Sequence, residues 1–162
     1  MKRRALGIYR EPQFSPGKVE ADAAILDSVL SELAAHGLET VTLDAQSFAA
    51  GAPTDAAEIV LAMCQGSDAL KRLAEVESAG AVAVNSALAI RNCYRDLLGA
   101  GLVRAGIPVP DGALLPTAPP IDLRKRAALD LDAGVYVKRG DLHALEADDV
   151  QRAYGRAGLI VT

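Results

Sequence analysis

The sequence predicts an α/β fold built on an open sheet of parallel strands, and three observations carry that expectation. Short, unbroken apolar runs recur at residues 4–9, 41–43, 59–63 and 81–84, as in strands that are buried on both faces. Residues 20–36 and 66–79 carry apolar side chains at helical spacing and are closed by Gly37 and Gly80, the residue type that most often follows a helix. The resulting order of strand, helix, strand, strand, helix, strand is that of a parallel sheet with helices on its faces.

Taken in order, residues 4–9 (RALGIY) form the first strand and residues 10–18, with Pro12, Pro16 and Gly17, a polar loop. Ile25, Leu26, Val29, Leu30 and Leu33 make one stripe on the first helix. Val41, Thr42 and Leu43 give a second strand, and residues 44–55 read as irregular, with a turn at 51–54. Residues 59–63 form a third strand, and Leu70, Leu73 and Ala74 face inward from the helix that follows. Ligands of such sheets sit beyond the carboxyl ends of the strands. Those ends place Tyr9, Arg10, Gln65, Ser67 and Asn85 as candidate substrate-binding residues, with Arg10 suited to pairing a carboxylate bidentately.

With 162 residues, 51% of them hydrophobic, the chain has enough apolar material for a core and room for one domain plus part of another. A net charge of −4 leaves no basic footprint for nucleic acid, and no apolar run approaches a membrane span. Cys64 and Cys93 lie in apolar segments without ligand spacing, so both are expected to be buried free thiols in a cytoplasmic protein. Only 4% of residues are aromatic, so Ala, Leu and Val must fill the core.

The most specific stretch is residues 81–110, AVAVNSALAIRNCYRDLLGAGLVRAGIPVP. It reads as a strand, a helical pair capped by Ser86, and an exit at Gly106 that Pro108 and Pro110 keep from continuing as helix. Residues 115–120 then form a stiff linker, residues 123–131 a helix, and residues 134–138 a strand that ends in Lys138. A short helix over 148–155 and an apolar strand beginning at 159–161 complete the reading. The strand stops in mid-run, so the chain is expected to be the amino-terminal part of a longer protein. Its uncovered apolar residues make a homo-oligomer an expected state.

Val84-Asn85-Ser86, Ala89-Ile90 and Gly106-Ile107-Pro108-Val109-Pro110 resemble the junction between the pre-ATP-grasp and ATP-grasp domains of glutathione synthetases, D-alanine:D-alanine ligases and ribosomal-protein glutamate ligases. The resemblance implies a Rossmann-like pre-ATP-grasp sheet over residues 1–88, a linker helix over 89–110, and part of an α+β nucleotide-binding lobe over 111–162. It further implies ATP as cofactor, a small-molecule or peptide carboxylate as substrate, and acylphosphate chemistry. Lys138 aligns with a phosphate-contacting lysine of that superfamily, and Arg95 stands where a second one is found. Arg139 and His143, in a loop with a single glycine (Gly140) where those enzymes have a glycine-rich flap, complete the implied ATP-binding set. The superfamily's magnesium ligands lie beyond the lysine strand, so magnesium is expected only in a longer protein, and the 162 residues alone are expected to be inactive.

Other classes fit poorly. No Gly-x-Gly-x-x-Gly follows the first strand, no acidic residue ends the third, and no Gly-x-Ser-x-Gly elbow is present. Asp141, His143 and Glu146 do not have the spacing of a metal site. The alternative to a ligase is a non-catalytic α/β binding or interaction module.

Overall fold

A computed structural model describes residues 3–15, 17–115, 133–138 and 150–153. The chain divides into two compact units, Met1–Cys93 and Tyr94–Thr162.

The first unit holds four parallel strands: β1 (Arg4–Ile8), β2 (Glu39–Leu43), β3 (Ile59–Ala62) and β4 (Val82–Val84), in the spatial order β2-β1-β3-β4. This is the open parallel sheet that the apolar runs predicted. Helix α1 (Val19–Ala35) links β1 to β2, α2 (Ala45–Ala49) links β2 to β3, and α3 (Ser67–Ser78) links β3 to β4. Because β2 lies on one side of β1 while β3 and β4 lie on the other, right-handed crossovers put α1 on one face and α2 with α3 on the opposite one. Gly37 and Gly106 follow helices with φ of 88° and 72°, the left-handed conformation that lets a chain leave a helix.

The register assigns each side chain to a face. Gly7 lies directly under α1, since a Cβ added there would come within 2.6 Å of Leu30 Cδ1. Alternation then sends Leu6 and Ile8 to the other face, level with Val60 and Ala62 of β3. All four are sealed from solvent, as are Phe48 of α2 and Leu73 of α3. This layer is the centre of the core, and each large side chain in it contributes about 1.5–3 kcal/mol by leaving water.

Several elements depart from the sequence reading. Residues 44–55 are not wholly irregular: Asp44 accepts a hydrogen bond from the Ser47 backbone N–H at 2.8 Å and so caps α2, which buries Phe48. Strand β4 is an edge, and Val82 and Val84, 64% and 49% exposed, project on the α1 face beyond the reach of that helix. The expected double-sided burial of this run therefore fails. Only Leu26 and Leu30 of the α1 stripe are buried; Ile25 is exposed. Cys64 is buried as expected, but Cys93 is exposed. Helix α4 (Ala87–Asn92) follows β4 and is capped by Ser86, which accepts the Ala89 N–H at 3.1 Å.

The second unit contains α5 (Arg95–Arg104), completing the expected helical pair, and an antiparallel ribbon of β5 (Val135–Lys138) and β6 (Val150–Ala153). The segment expected to be helical at 148–155 contains β6 instead. Val150–Ala153 pair antiparallel with Val135–Lys138, and that pairing overrides a weak local preference. The helix and strand expected at 123–131 and 159–161 lie outside the described residues.

Candidate functional site

The carboxyl edge of the first unit's sheet is held together by side chains from the β1–α1 loop. Arg10 donates from Nε to the Met63 carbonyl at 3.2 Å and pairs with Asp22 at 3.2 Å. The same Asp22 accepts the hydroxyl of buried Ser15. Tyr9 donates its phenolic O–H to Asp27. That bond raises the Tyr9 pKa, with burial and the negative charge of Asp27 adding to the effect.

Glu11 completes the edge. Its two carboxylate oxygens accept the backbone N–H groups of Gln65 and Gly66, each at 2.9 Å. These amides lie beyond β3, next to β1, where the crossovers diverge. Gly66 has φ −65° and ψ 145°, a conformation open to any residue, so backbone freedom does not explain the glycine. Space does: a Cβ there would stand 2.6 Å from Glu11 Oε1. Glu11→Ala is expected to cost about 2 kcal/mol, because it strands two charge-assisted hydrogen bonds. Gly66→Ala is expected to cost nearly as much in the natural protein and close to nothing in the Glu11→Ala background. Urea titrations of the two single variants and the double variant measure this coupling, and additive losses would refute it.

Asn85 has φ 62° and donates from Nδ2 to the Ala62 carbonyl at 3.2 Å, tying the end of β3 to that of β4. Ser67 is the exposed first residue of α3, and Gln65 is engaged through its backbone N–H. The fold thus gathers Tyr9, Arg10, Gln65, Ser67 and Asn85 along the carboxyl ends of β1, β3 and β4, as expected. Tyr9, Arg10 and Asn85 turn polar groups toward the protein itself. A carboxylate arriving at Arg10 would have to compete with Asp22.

Between α2 and α3 lies a depression of about 410 Å³ lined in part by Asp68, Lys71, Arg72 and Glu75. Its two cations and two carboxylates balance, and Arg72 is already paired with Glu75 at 3.0 Å.

In the second unit, Lys138 ends β5 and is exposed. The ribbon places Tyr136 opposite Arg152 and Lys138 opposite Val150. Residues paired across a ribbon, and residues two apart on one strand, share a face. Tyr136, Lys138 and Arg152 therefore lie on the same side. The Arg152 guanidinium sits 5.5 Å from the centroid of the Tyr136 ring, within cation–π range. Arg152 was not singled out in the sequence, because its segment reads there as helix and Val150–Ala153 has no apolar-polar alternation to mark it as a strand. Arg95 is the exposed first residue of α5. Arg139 and His143 lie outside the described residues.

Among the described residues, no group of three His, Cys, Asp or Glu side chains is placed to hold a metal ion, and no helix is long and apolar enough to cross a membrane. No protein-family model and no curated protein sequence matches the chain. The class that the fold defines is an α/β protein with an open, all-parallel, Rossmann-like sheet.

Proposed function

We propose that the chain is the amino-terminal portion of an ATP-dependent carboxylate-amine ligase of the ATP-grasp type. In that chemistry the carboxylate takes the γ-phosphoryl group of ATP, releasing ADP and forming an acylphosphate. An amine then attacks the acyl carbon and phosphate leaves. The observation that carries the reading is Lys138, an exposed cation at the tip of a strand on a two-stranded ribbon, reached through the Gly106-Ile107-Pro108-Val109-Pro110 exit. An ammonium so placed offsets the negative charge of a transferred phosphoryl group. Arg95, exposed at the start of α5, is the second cation that the resemblance assigns to a phosphate. Magnesium carried with ATP would be held by residues other than the described ones. The expected site is cytoplasmic, with ligase activity confined to a longer protein.

Lys138→Ala is expected to weaken ATP binding about 10- to 100-fold in the protein translated from the complete reading frame, the effect of losing one charge-assisted phosphate contact. Calorimetric titration with ATP tests this, with circular dichroism to confirm the fold. Equal affinity in both proteins would remove Lys138 from the site.

The inward-turned Tyr9, Arg10 and Asn85 favour a second reading, a non-catalytic binding or interaction module. Under it, ATP would bind neither protein.

A further inference from the structure

We infer that the outer edge of β4 pairs with the same edge of a second copy of this chain, antiparallel, about a twofold axis through Ala83. The inference is independent of the ligase reading. β4 is the last strand in the order β2-β1-β3-β4, so one of its sides carries no strand. Val82 donates its N–H to the Glu58 carbonyl at 2.8 Å, which turns the backbone groups of Val82 and, two residues on, Val84 toward β3. Ala83 between them turns its N–H and C=O outward. A twofold axis at Ala83 sets this donor and acceptor opposite the same two groups of the partner copy. Both hydrogen bonds of a closely spaced antiparallel pair then form together.

The same axis fixes which side chains meet. Val82 of one copy lies opposite Val84 of the other, and Val84 opposite Val82, all on one face of the joined sheet. These are the valines that are 64% and 49% exposed in the single chain. Charge selects the partner. Edge strands are commonly guarded by charged side chains or proline, and the opposite edge, β2, carries Glu39 with Thr40 and Thr42. Residues 78–90, around β4, contain no Asp, Glu, Lys, Arg or Pro. Two copies of a chain with net charge −4 repel each other, and they meet with least repulsion on an uncharged stretch. A charged partner strand would find no counter-charge there, whereas a second copy finds its own complement. Three residues per strand make a small contact, so the dimer is weak and depends on concentration.

The test is sedimentation equilibrium of the 162-residue chain from about 1 µM to about 1 mM, the range in which a contact of this size exchanges. The mass is expected to rise with concentration from 16.8 kDa toward twice that value. Ala83→Pro removes the outward N–H, which a strand edge can lose without breaking its own sheet, and should weaken dimerisation about tenfold or more. Val82→Lys and Val84→Glu should each stay monomeric when alone, since each sets an unpaired charge against valine. An equimolar mixture of these two variants should regain the dimer, because the axis sets position 82 of one copy opposite position 84 of the other. A natural chain that stays at monomer mass throughout overturns the inference. So does a dimer that survives all three variants, since its contact then lies elsewhere, and so does a mixture that stays monomeric. Should Ala83→Pro fail to fold by circular dichroism, the two valine variants and their mixture decide.

Discussion

Gly7→Val is expected to destabilise the first unit by about 3 kcal/mol and to lower its melting temperature by roughly 10 °C or more. Gly7 lies in the middle of β1, beneath α1, and a Cβ built on it would come within 2.6 Å of Leu30 Cδ1 and 3.3 Å of Leu26 Cδ2. Those leucines are the two buried residues of α1. Neither side chain can swing outward without losing its own burial, so an added branched side chain must push the helix off the sheet. Overpacking of this kind is relieved by removing the atoms it meets. Leu30→Ala alone should cost about 2–5 kcal/mol through its cavity. Combined with Gly7→Val, it should cost clearly less than the sum of the two. Thermal or urea unfolding of the two single variants and the double variant measures the coupling. Strict additivity would mean that α1 does not rest on Gly7.

This close packing also marks where sequence reasoning succeeds and where it stops. The runs of β1 and β3 were legible because a strand buried on both faces has to be apolar throughout. The same logic misjudged β4, whose composition is equally apolar. Whether a strand lies inside a sheet or at its edge depends on what pairs with it, and nothing within residues 81–84 encodes that. Helix α2 was missed because five residues, Ala45–Ala49, are too few for periodicity. Its determinants are one cap at Asp44 and one buried ring at Phe48. At the candidate sites, Lys138 was visible as a charge ending an apolar strand. Arg152 and Glu11 were not, since each takes its meaning from a partner distant in sequence: Tyr136 for one, the Gln65 and Gly66 amides for the other. Positions were therefore easier to read than pairings. Arg10 shows the difference, because its place at the end of β1 followed from the sequence while its engagement with Asp22 did not.

Raising the pH from 9 to 12 is expected to remove on the order of 4 kcal/mol of stability through a single group, the thiol of Cys64. Burial, and next the negative charge of Glu11, push this thiol up from 9.0 to about 12. The folded protein therefore holds the Cys64 proton where the unfolded chain releases it. Below pH 9 both states are protonated and the group is neutral in the balance. Between 9 and 12 the unfolded state binds fewer protons, so stability falls by roughly 1.4 kcal/mol per pH unit. Tyrosines and lysines also titrate in this range, and Cys64→Ala separates their contribution, because they are unchanged by the substitution and its small cavity costs the same at every pH. Urea unfolding of both proteins at pH 8, 9.5 and 10.5 should give a gap that shifts steadily with pH in favour of the variant. A gap independent of pH would show that the Cys64 thiol ionises as freely in the folded state as in the unfolded one. Glu11→Gln adds a further check. Removing that charge makes the buried thiolate less unfavourable, so the alkaline loss should shrink. At pH 8, a thiol reagent should modify exposed Cys93 at once and reach Cys64 only as fast as the first unit opens.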